Sequence, residues 1–508
     1  MHSSTAQFIR LFKRYKYPPP PPSPPPAPVQ GWWIDTSTYV STDGDAYPVL
    51  IWDDVAVDSA NNLYVAGHVN EVANLKAALA KYAPDGSLTW LHVQDAVANE
   101  YNDSFNAVAI GVSGNIYAVG RRFFSEASQT PTYGSLPIIA KFDPSGTRLW
   151  VKNLSETQVS PADDLMGYGY LNDVAVRDNA GQDQVWVTGY FESALASGTG
   201  GTITAALDAS GDFVVAPRFF GTTNYNDGHQ ISVTPTAVYV LTGNGTNTSA
   251  KSTIIRYTFA GVLDYQAEMT TGMILTGMVP DPADNGQVYV VGNSRGIPQA
   301  GSTAFIGKIN TATTSFVWQQ YVTTLNDMAP SSYQNLRRYG AVDVDPVSGD
   351  VFWTVPDAGT GGGGESMFVA RIDGSAGNFI WQIGFLTSTP YDVGDPRAYG
   401  IRYVPAIEGI AMVGRGYTSS QGITALFPAS ACIIQVLSNW EIMVTSEAFT
   451  VAARTIATSS YDDVSLQNVS NTNGGDLVMA ALPVPAVKPS PQLTSQLVAI
   501  PLASCPGD

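Results

Sequence analysis

The stretch "DDVAVDSANNLYVAGH" (residues 53–68) alternates apolar and polar residues, breaks at "SANN", alternates again and ends in glycine. Period-two alternation on either side of a small polar break is the pattern of two antiparallel strands joined by a tight turn. The same phrase returns as "FNAVAIGVSGNIYAVGR" (105–121) and "LNDVAVRDNAGQDQVWVTGY" (171–190). It continues as "HQISVTPTAVYVLTGN" (229–244), "LTGMVPDPADNGQVYVVGN" (275–293), "YGAVDVDPVSGDVFWTV" (339–355) and "YGIRYVPAIEGIAMVGR" (399–415). A second hairpin of different character follows each, clearest in "ALAKYAPDGSLTW" (78–90), "IIAKFDPSGTRLW" (138–150), "AFIGKINTATTSFVW" (304–318) and "MFVARIDGSAGNFIW" (367–381).

Four strands per unit, here termed a, b, c and d, bury too little surface alone, and stacking the copies around an axis is the stable solution. The sequence therefore predicts an all-β propeller of four-stranded blades. Small and β-branched residues such as Val55, Ala56 and Val57 suit its crowded centre. The tryptophan opening strand d suits the wide rim, where it wedges between neighbouring blades. Seven units end near Trp440–Thr445, with "CIIQVLSNWEIMV" (432–444) as the seventh c–d pair. "YDDVSLQNVSNTNGGDLVMAA" (461–481) and "SQLVAIPLASCPG" (495–507) supply three strands of an eighth. "QGWWIDTSTYV" (30–40) reads as an orphan d strand, with Trp32 or Trp33 in the role of Trp90. The expectation is eight blades, the N-terminal strand completing the last and sealing both open edges. Seven is the alternative, with 446–508 as an added layer.

The units "VAVDSANNLYVAG…ALAKYAPDGSLTW" resemble the bacterial beta-propeller repeat (SBBP-like) family, whose unit runs roughly D-x-x-G-N-x-Y-V-x-G and then K-x-D-x-x-G-x-x-x-W. The resemblance covers about residues 50–480 and is closest in the first two units. It implies a propeller and no particular activity, because propellers host unrelated functions.

Composition narrows the function. The 508 residues carry a formal charge of −18, with 13% charged residues, 11% aromatics and 48 glycines. An acidic body opposes general binding to nucleic-acid phosphates. Arg10, Lys13, Arg14 and Lys16 are the only charges in residues 1–30, so by subtraction the remainder carries about −22. Two cysteines, Cys432 and Cys505, exclude a disulfide framework and a four-cysteine zinc site; their spacing leaves pairing open. No apolar run reaches the ~18 residues of a membrane span, and charge interrupts "AQFIRLFKRYKY" before a secretory apolar core can form.

The chain divides into an anchor peptide (1–17), a polyproline linker (18–30) and the propeller (31–508). Phe8, Ile9, Arg10, Leu11, Phe12, Lys13 and Arg14 are the candidate anchoring residues. "PPPPPSPPPAP" (18–28) is a polyproline II spacer, on the order of 30 Å at ~3.1 Å per residue. An anchor, a stalk and an acidic head form an attachment design.

Catalytic constellations are scarce. His2, His68, His92 and His229 lack metal-ligand spacing, and the paired acids Asp53–Asp54, Asp163–Asp164 and Asp462–Asp463 point to opposite faces of their strands. No cofactor or metal is expected, although acidic turns such as "DPADNGQ" (281–287) leave calcium open beside ordinary Asx turns. The a–b and c–d links are short and share one face, whereas the b–c and d–a links are long and share the other. That long-loop face is the expected recognition surface. Its candidate residues are Tyr101, Arg121, Arg122, Tyr168, Tyr170, Tyr333, Arg337, Arg338, Tyr391 and Arg397, because Tyr and Arg bring contact area and directional polar contacts.

These features predict a non-enzymatic virion structural or attachment protein, a phage tail or head appendage. Its expected partners are other virion or surface proteins through the arm and a host-surface glycan or protein at the head, with homo-oligomerisation open. An extracellular bacterial adhesion propeller is the alternative, and a quinoprotein-like or glycan-active enzyme the third reading.

Overall fold

The computed structural model describes residues 32–35, 49–71, 74–93, 103–124, 134–156, 168–192, 200–220, 227–244, 251–269, 273–294, 303–326, 340–357, 366–387, 397–405, 408–415, 422–427, 432–433, 440–443, 451–452, 477–481, 496–499 and 502–503. β1 (Trp32–Asp35) precedes the first blade in the chain and is not part of it. That blade is β2 (Val49–Val57), β3 (Leu63–Glu71), β4 (Asn74–Tyr82) and β5 (Leu88–Val93). The second is β6 (Asp103–Ile110), β7 (Ile116–Phe124), β8 (Gly134–Phe142) and β9 (Arg148–Glu156). The third is β10 (Tyr168–Asn179), β11 (Gln182–Glu192), β12 (Gly200–Leu207) and β13 (Phe213–Phe220). The fourth is β14 (Asp227–Val233), β15 (Val238–Asn244), β16 (Lys251–Tyr257) and β17 (Leu263–Glu268). The fifth is β18 (Met273–Asp281), β19 (Asp284–Ser294), β20 (Thr303–Asn310) and β21 (Ser315–Asn326). The sixth is β22 (Ala341–Val344), β23 (Val351–Asp357), β24 (Ser366–Ile372) and β25 (Phe379–Thr387).

Six blades of four consecutive strands are thus complete. The ring is closed by a composite sheet of β26 (Arg397–Val404), β27 (Gly409–Arg415) and β28 (Gly422–Phe427), with β1 antiparallel on the outer edge of β28. Buried apolar clusters join successive sheets, and one holding Leu50, Val55 and Leu63 with Val404, Ala411 and Val413 joins the composite sheet to the first blade.

This corrects both the expected count of eight blades and the alternative of seven: among the described residues six blades of four consecutive strands are present. The N-terminal strand does join the ring, but on β28 and not on an eighth blade. Register explains the choice. Across the first blade Ala56, Tyr64, Lys81 and Trp90 lie in one row. In the composite sheet the corresponding row is Arg402, Ala411, Leu426 and Trp32. Trp32 therefore takes the backbone position of Trp90, and the fourth place is filled. Later strands, including ones assigned to the seventh and eighth repeats, add instead to existing outer edges. β30 (Trp440–Met443) lies on β25, β31 (Val451–Ala452) on β21, β32 (Leu477–Ala481) on β9, and β33 (Gln496–Ala499) on β1. β29 (Cys432–Ile433) pairs only with β34 (Leu502–Ala503) among the described residues.

The repeated motif acquires a mechanism. Strand a carries a bulge at the same place in β2, β6, β10, β14, β18 and β26. A bulge bends backbone toward its neighbour and re-aims a side chain. The glycine that ends the "VAG"-like phrase faces that bend in the first, second, third and fifth blades and in the composite sheet, and Thr242 takes its place in the fourth. A Cβ at Gly67 would lie 1.9 Å from the Ile51 carbonyl oxygen, and one at Gly120 would lie 1.8 Å from that of Ser104.

Each of three rim tryptophans docks on the c–d turn of the next blade, as the spacing predicts. The indole N–H groups of Trp90, Trp150 and Trp318 donate to the carbonyls of Pro144 (3.3 Å), Ala209 (3.2 Å) and Gly374 (2.9 Å). The receiving turns are closed by their leading acid. Asp143 Oδ1, for example, accepts from the Ser145 and Thr147 backbone N–H groups, both at 2.9 Å. The acidic turn at 281–284 is accounted for in the same way: Asp281 accepts from the Ala283 N–H and pairs with Lys308 Nζ at 2.6 Å.

Candidate functional site

The bulges and the ends of the b strands lie at the long-loop face, and there the polar side chains converge. In the first blade Asp53 Oδ2 lies 3.0 Å from His68 Nδ1. In the second the Arg122 guanidinium forks onto Asp103, Nη2 to Oδ2 at 2.9 Å and Nε to Oδ1 and Oδ2 at 3.2 and 3.1 Å, with both side chains buried. The bulge residue Asn172 reaches into the fourth blade. Its amide donates to Asp227 Oδ1 (2.8 Å) and to the Gly228 carbonyl (2.9 Å).

Asp227 forms the floor of a tyrosine cluster. Tyr170 Oη donates to its Oδ2 at 2.8 Å, and His229 Nδ1 is 4.0 Å away. The Tyr170 and Tyr190 rings stack at 5.7 Å, and Tyr168 packs edge-on against both at 6.1 Å. Tyr190 Oη donates to Glu192 Oε2 at 3.1 Å. Burial dominates the ionisation of the floor. It pushes the Asp227 carboxyl up to about 8, against the opposing pull of the Tyr170 and Asn172 donors. Burial and the adjacent Asp227 also hold the Tyr170 phenol well above its ordinary value, while the charge of Arg121 acts in the opposite direction. Tyr170 and Tyr190 are largely buried, whereas Tyr168, Arg121 and Glu192 remain half-exposed. The arrangement offers an aromatic edge, a guanidinium and a carboxylate on a rigid base.

Of the residues singled out in the sequence, Arg121, Tyr168 and Tyr170 come together here. Arg122 adjoins them but is turned inward onto Asp103, so it braces the site and presents no surface. Tyr170 likewise faces Asp227 rather than solvent. Arg397 opens β26 opposite Arg415, in the composite sheet. Tyr101, Tyr333, Arg337, Arg338, Tyr391 and the anchoring residues Phe8 to Arg14 lie outside the described residues. Asn172, Tyr190, Glu192 and Asp227 are absent from the sequence-based candidates. One signal points to Tyr190: the residue after the repeat glycine is polar in every unit that has one, as His68, Arg121, Tyr190, Asn244, Asn293 and Arg415. Among the described residues no group of three or more His, Cys, Asp or Glu side chains is placed to hold a metal ion.

Fold and site together define a β-propeller whose long-loop face carries a preorganised polar and aromatic patch. Solved structures similar to this chain in fold include the Pan2 WD40 domain of Neurospora crassa (10% identity, TM-score 0.41, covering 79% of this chain and 96% of that one). Hydrazine synthase of Kuenenia stuttgartiensis (9% identity, TM-score 0.45, 78% and 96%) and a mutant of NanB sialidase from Streptococcus pneumoniae (9% identity, TM-score 0.41, 77% and 70%) are similar at the same level. No family model matches the chain, so the likeness to the bacterial beta-propeller repeat rests on the quoted motifs, and no curated protein matches it either.

Proposed function

We propose that this protein is a non-enzymatic recognition propeller that binds its target through the long-loop face. The observation that carries the reading is the Tyr168–Tyr170–Tyr190 cluster seated on Asp227, with Arg121 and Glu192 at its margin. Tyrosine and arginine on a rigid base give contact area at low entropic cost, and this composition suits a polar surface such as glycan or protein. The basic anchor and proline-rich linker support a finer version, in which a phage particle carries the propeller and displays it to a host surface. The test is binding of the purified full chain to intact candidate host cells and to a glycan array. Tyr168→Ala with Arg121→Ala is expected to weaken retention at least about tenfold at unchanged melting temperature, as loss of a charge-assisted hydrogen bond and an aromatic contact implies. Unchanged retention by the double variant would overturn the site. Absence of the chain from purified particles would overturn the virion reading alone.

A further inference from the structure

A second feature lies on the axis. The inner strands enclose a cavity of about 550 Å³, within the range that holds small-molecule ligands. It is separate from the tyrosine cluster and sits toward the short-turn face, where Pro235, Pro282 and Asn285 contribute to its lining.

Its wall is strongly uneven. In the register row that runs out to Trp90 in the first blade, the innermost residue is Ala56, and in the next four blades it is Ala109, Ala175, Ser232 and Val279. In the sixth blade and the composite sheet the same place holds Asp343 and Arg402. Apart from Ser232, an aliphatic arc in this row therefore faces a charged one; Asp281, which also lines the cavity, is paired with Lys308. Asp343 and Arg402 both line the cavity and are half-exposed to it. Arg402 Nη2 lies 3.5 Å from Asp54 across the ring seam, and Nη1 donates to the Ile401 carbonyl. Asp54, Asp343 and Asp173 each contribute a favourable field at Arg402, Asp54 the most. Two of the three are already committed to backbone: Asp54 Oδ2 accepts from the Val108 N–H (3.1 Å), and Asp173 accepts from those of Val174 (2.8 Å) and Ile231 (2.9 Å). Asp343 accepts from the Tyr403 N–H at 2.6 Å and faces the cavity.

We propose that this axial cavity is a binding site for a small amphipathic organic cation, an alkylammonium whose head sits at Asp343 and whose chain lies along Ala109 and Ala175. The excess of carboxylate selects the sign of the head, and the aliphatic arc selects the tail. This is independent of the recognition reading above, because it uses neither the long-loop face nor any residue of the tyrosine cluster.

Hexylammonium is the probe, with hexanoate and hexanol as controls, titrated calorimetrically against the full chain. Hexylammonium is expected to bind, with both controls at least about tenfold weaker. Asp343→Asn keeps an acceptor for the Tyr403 N–H and is expected to weaken hexylammonium about tenfold or more, the loss typical of a charge-assisted contact. Burial raises the Asp343 carboxyl above its ordinary value, so a proton competes with the cation. Affinity should therefore rise with pH in the wild type and stay flatter in Asp343→Asn. Ala175→Leu fills the aliphatic side and is expected to weaken hexylammonium by the same order, giving a readout if Asp343→Asn fails to fold. Hexanoate binding as tightly as hexylammonium, or both variants binding like wild type, would overturn the proposal. So would no binding of any probe.

Discussion

Replacing Asp227 by Asn tests the floor of the tyrosine cluster through stability alone. The folded carboxyl holds its proton up to about 8, whereas the unfolded chain releases it near 3.8. Between those values the unfolded state binds fewer protons than the native state, so stability falls as pH rises. The slope is about 1.4 kcal/mol per pH unit, or roughly 4 kcal/mol from pH 5 to pH 8, and the loss levels off above the folded value. This is an upper bound, because hydration of the opened site would relieve part of it. Asparagine is isosteric, accepts and donates in the same pocket and does not titrate. Urea unfolding at half-unit steps from pH 5 to 8.5 should give curves for wild type and Asp227→Asn that diverge upward, with the variant gaining steadily on the wild type. At the acid end the two should nearly meet. Parallel curves across the range would refute the proton-holding Asp227.

Two further perturbations separate local effects that look alike. Gly377 and Gly349 both sit at φ +77°, but a Cβ on Gly377 would meet the Trp318 ring at 2.6 Å, whereas one on Gly349 would meet nothing within 4 Å. Gly349→Ala should cost about 1 kcal/mol for the left-handed backbone, and Gly377→Ala about 2–4 kcal/mol because the docked indole must also move; equal losses in urea unfolding would contradict the docking. For the buried pair, Arg122→Met should cost about 3–5 kcal/mol by stranding Asp103, and adding Asp103→Leu should restore most of it. If the double variant is no better than the single, the pair is not the reason Arg122 is buried.

The blades are readable in the sequence because their signals are local: period-two alternation, Asx turns and, in several units, a tryptophan opening strand d. Trp90, Trp150 and Trp318 find their rim positions by that reading alone. Blade count is not local. Residues 477–481 and 496–499 alternate like any strand, and alternation specifies a strand without specifying its partner. Their pairing with β9 and β1 depends on which outer edges are open, and on Trp32 already occupying the fourth place beside β28. The candidate site is half legible. Arg121 and Tyr168 can be found because Tyr and Arg at strand ends on the long-loop face are conspicuous. Asn172 and Asp227 cannot, since a bulge turns one sideways and the other meets it from a separate blade. Arg122 shows the converse: its residue type suggests a surface contact, and only the fork onto Asp103 reveals a brace.

The seam between β1 and β28 sets an order of events during synthesis. Trp32 pairs opposite Leu426, roughly 400 residues later in the chain. At a typical ~5–20 residues per second, the N-terminal strand leaves the ribosome about 20–80 s before its partner exists. Through that interval the nascent chain holds finished blades in an unclosed arc, with apolar end faces uncovered and an unpaired strand beside them. Closing the ring is then a very long-range step, and loop closure on this scale makes it slow. Once made, it ties the first segment of the ring to the last, so loss of either end reopens every interface at once rather than fraying one blade.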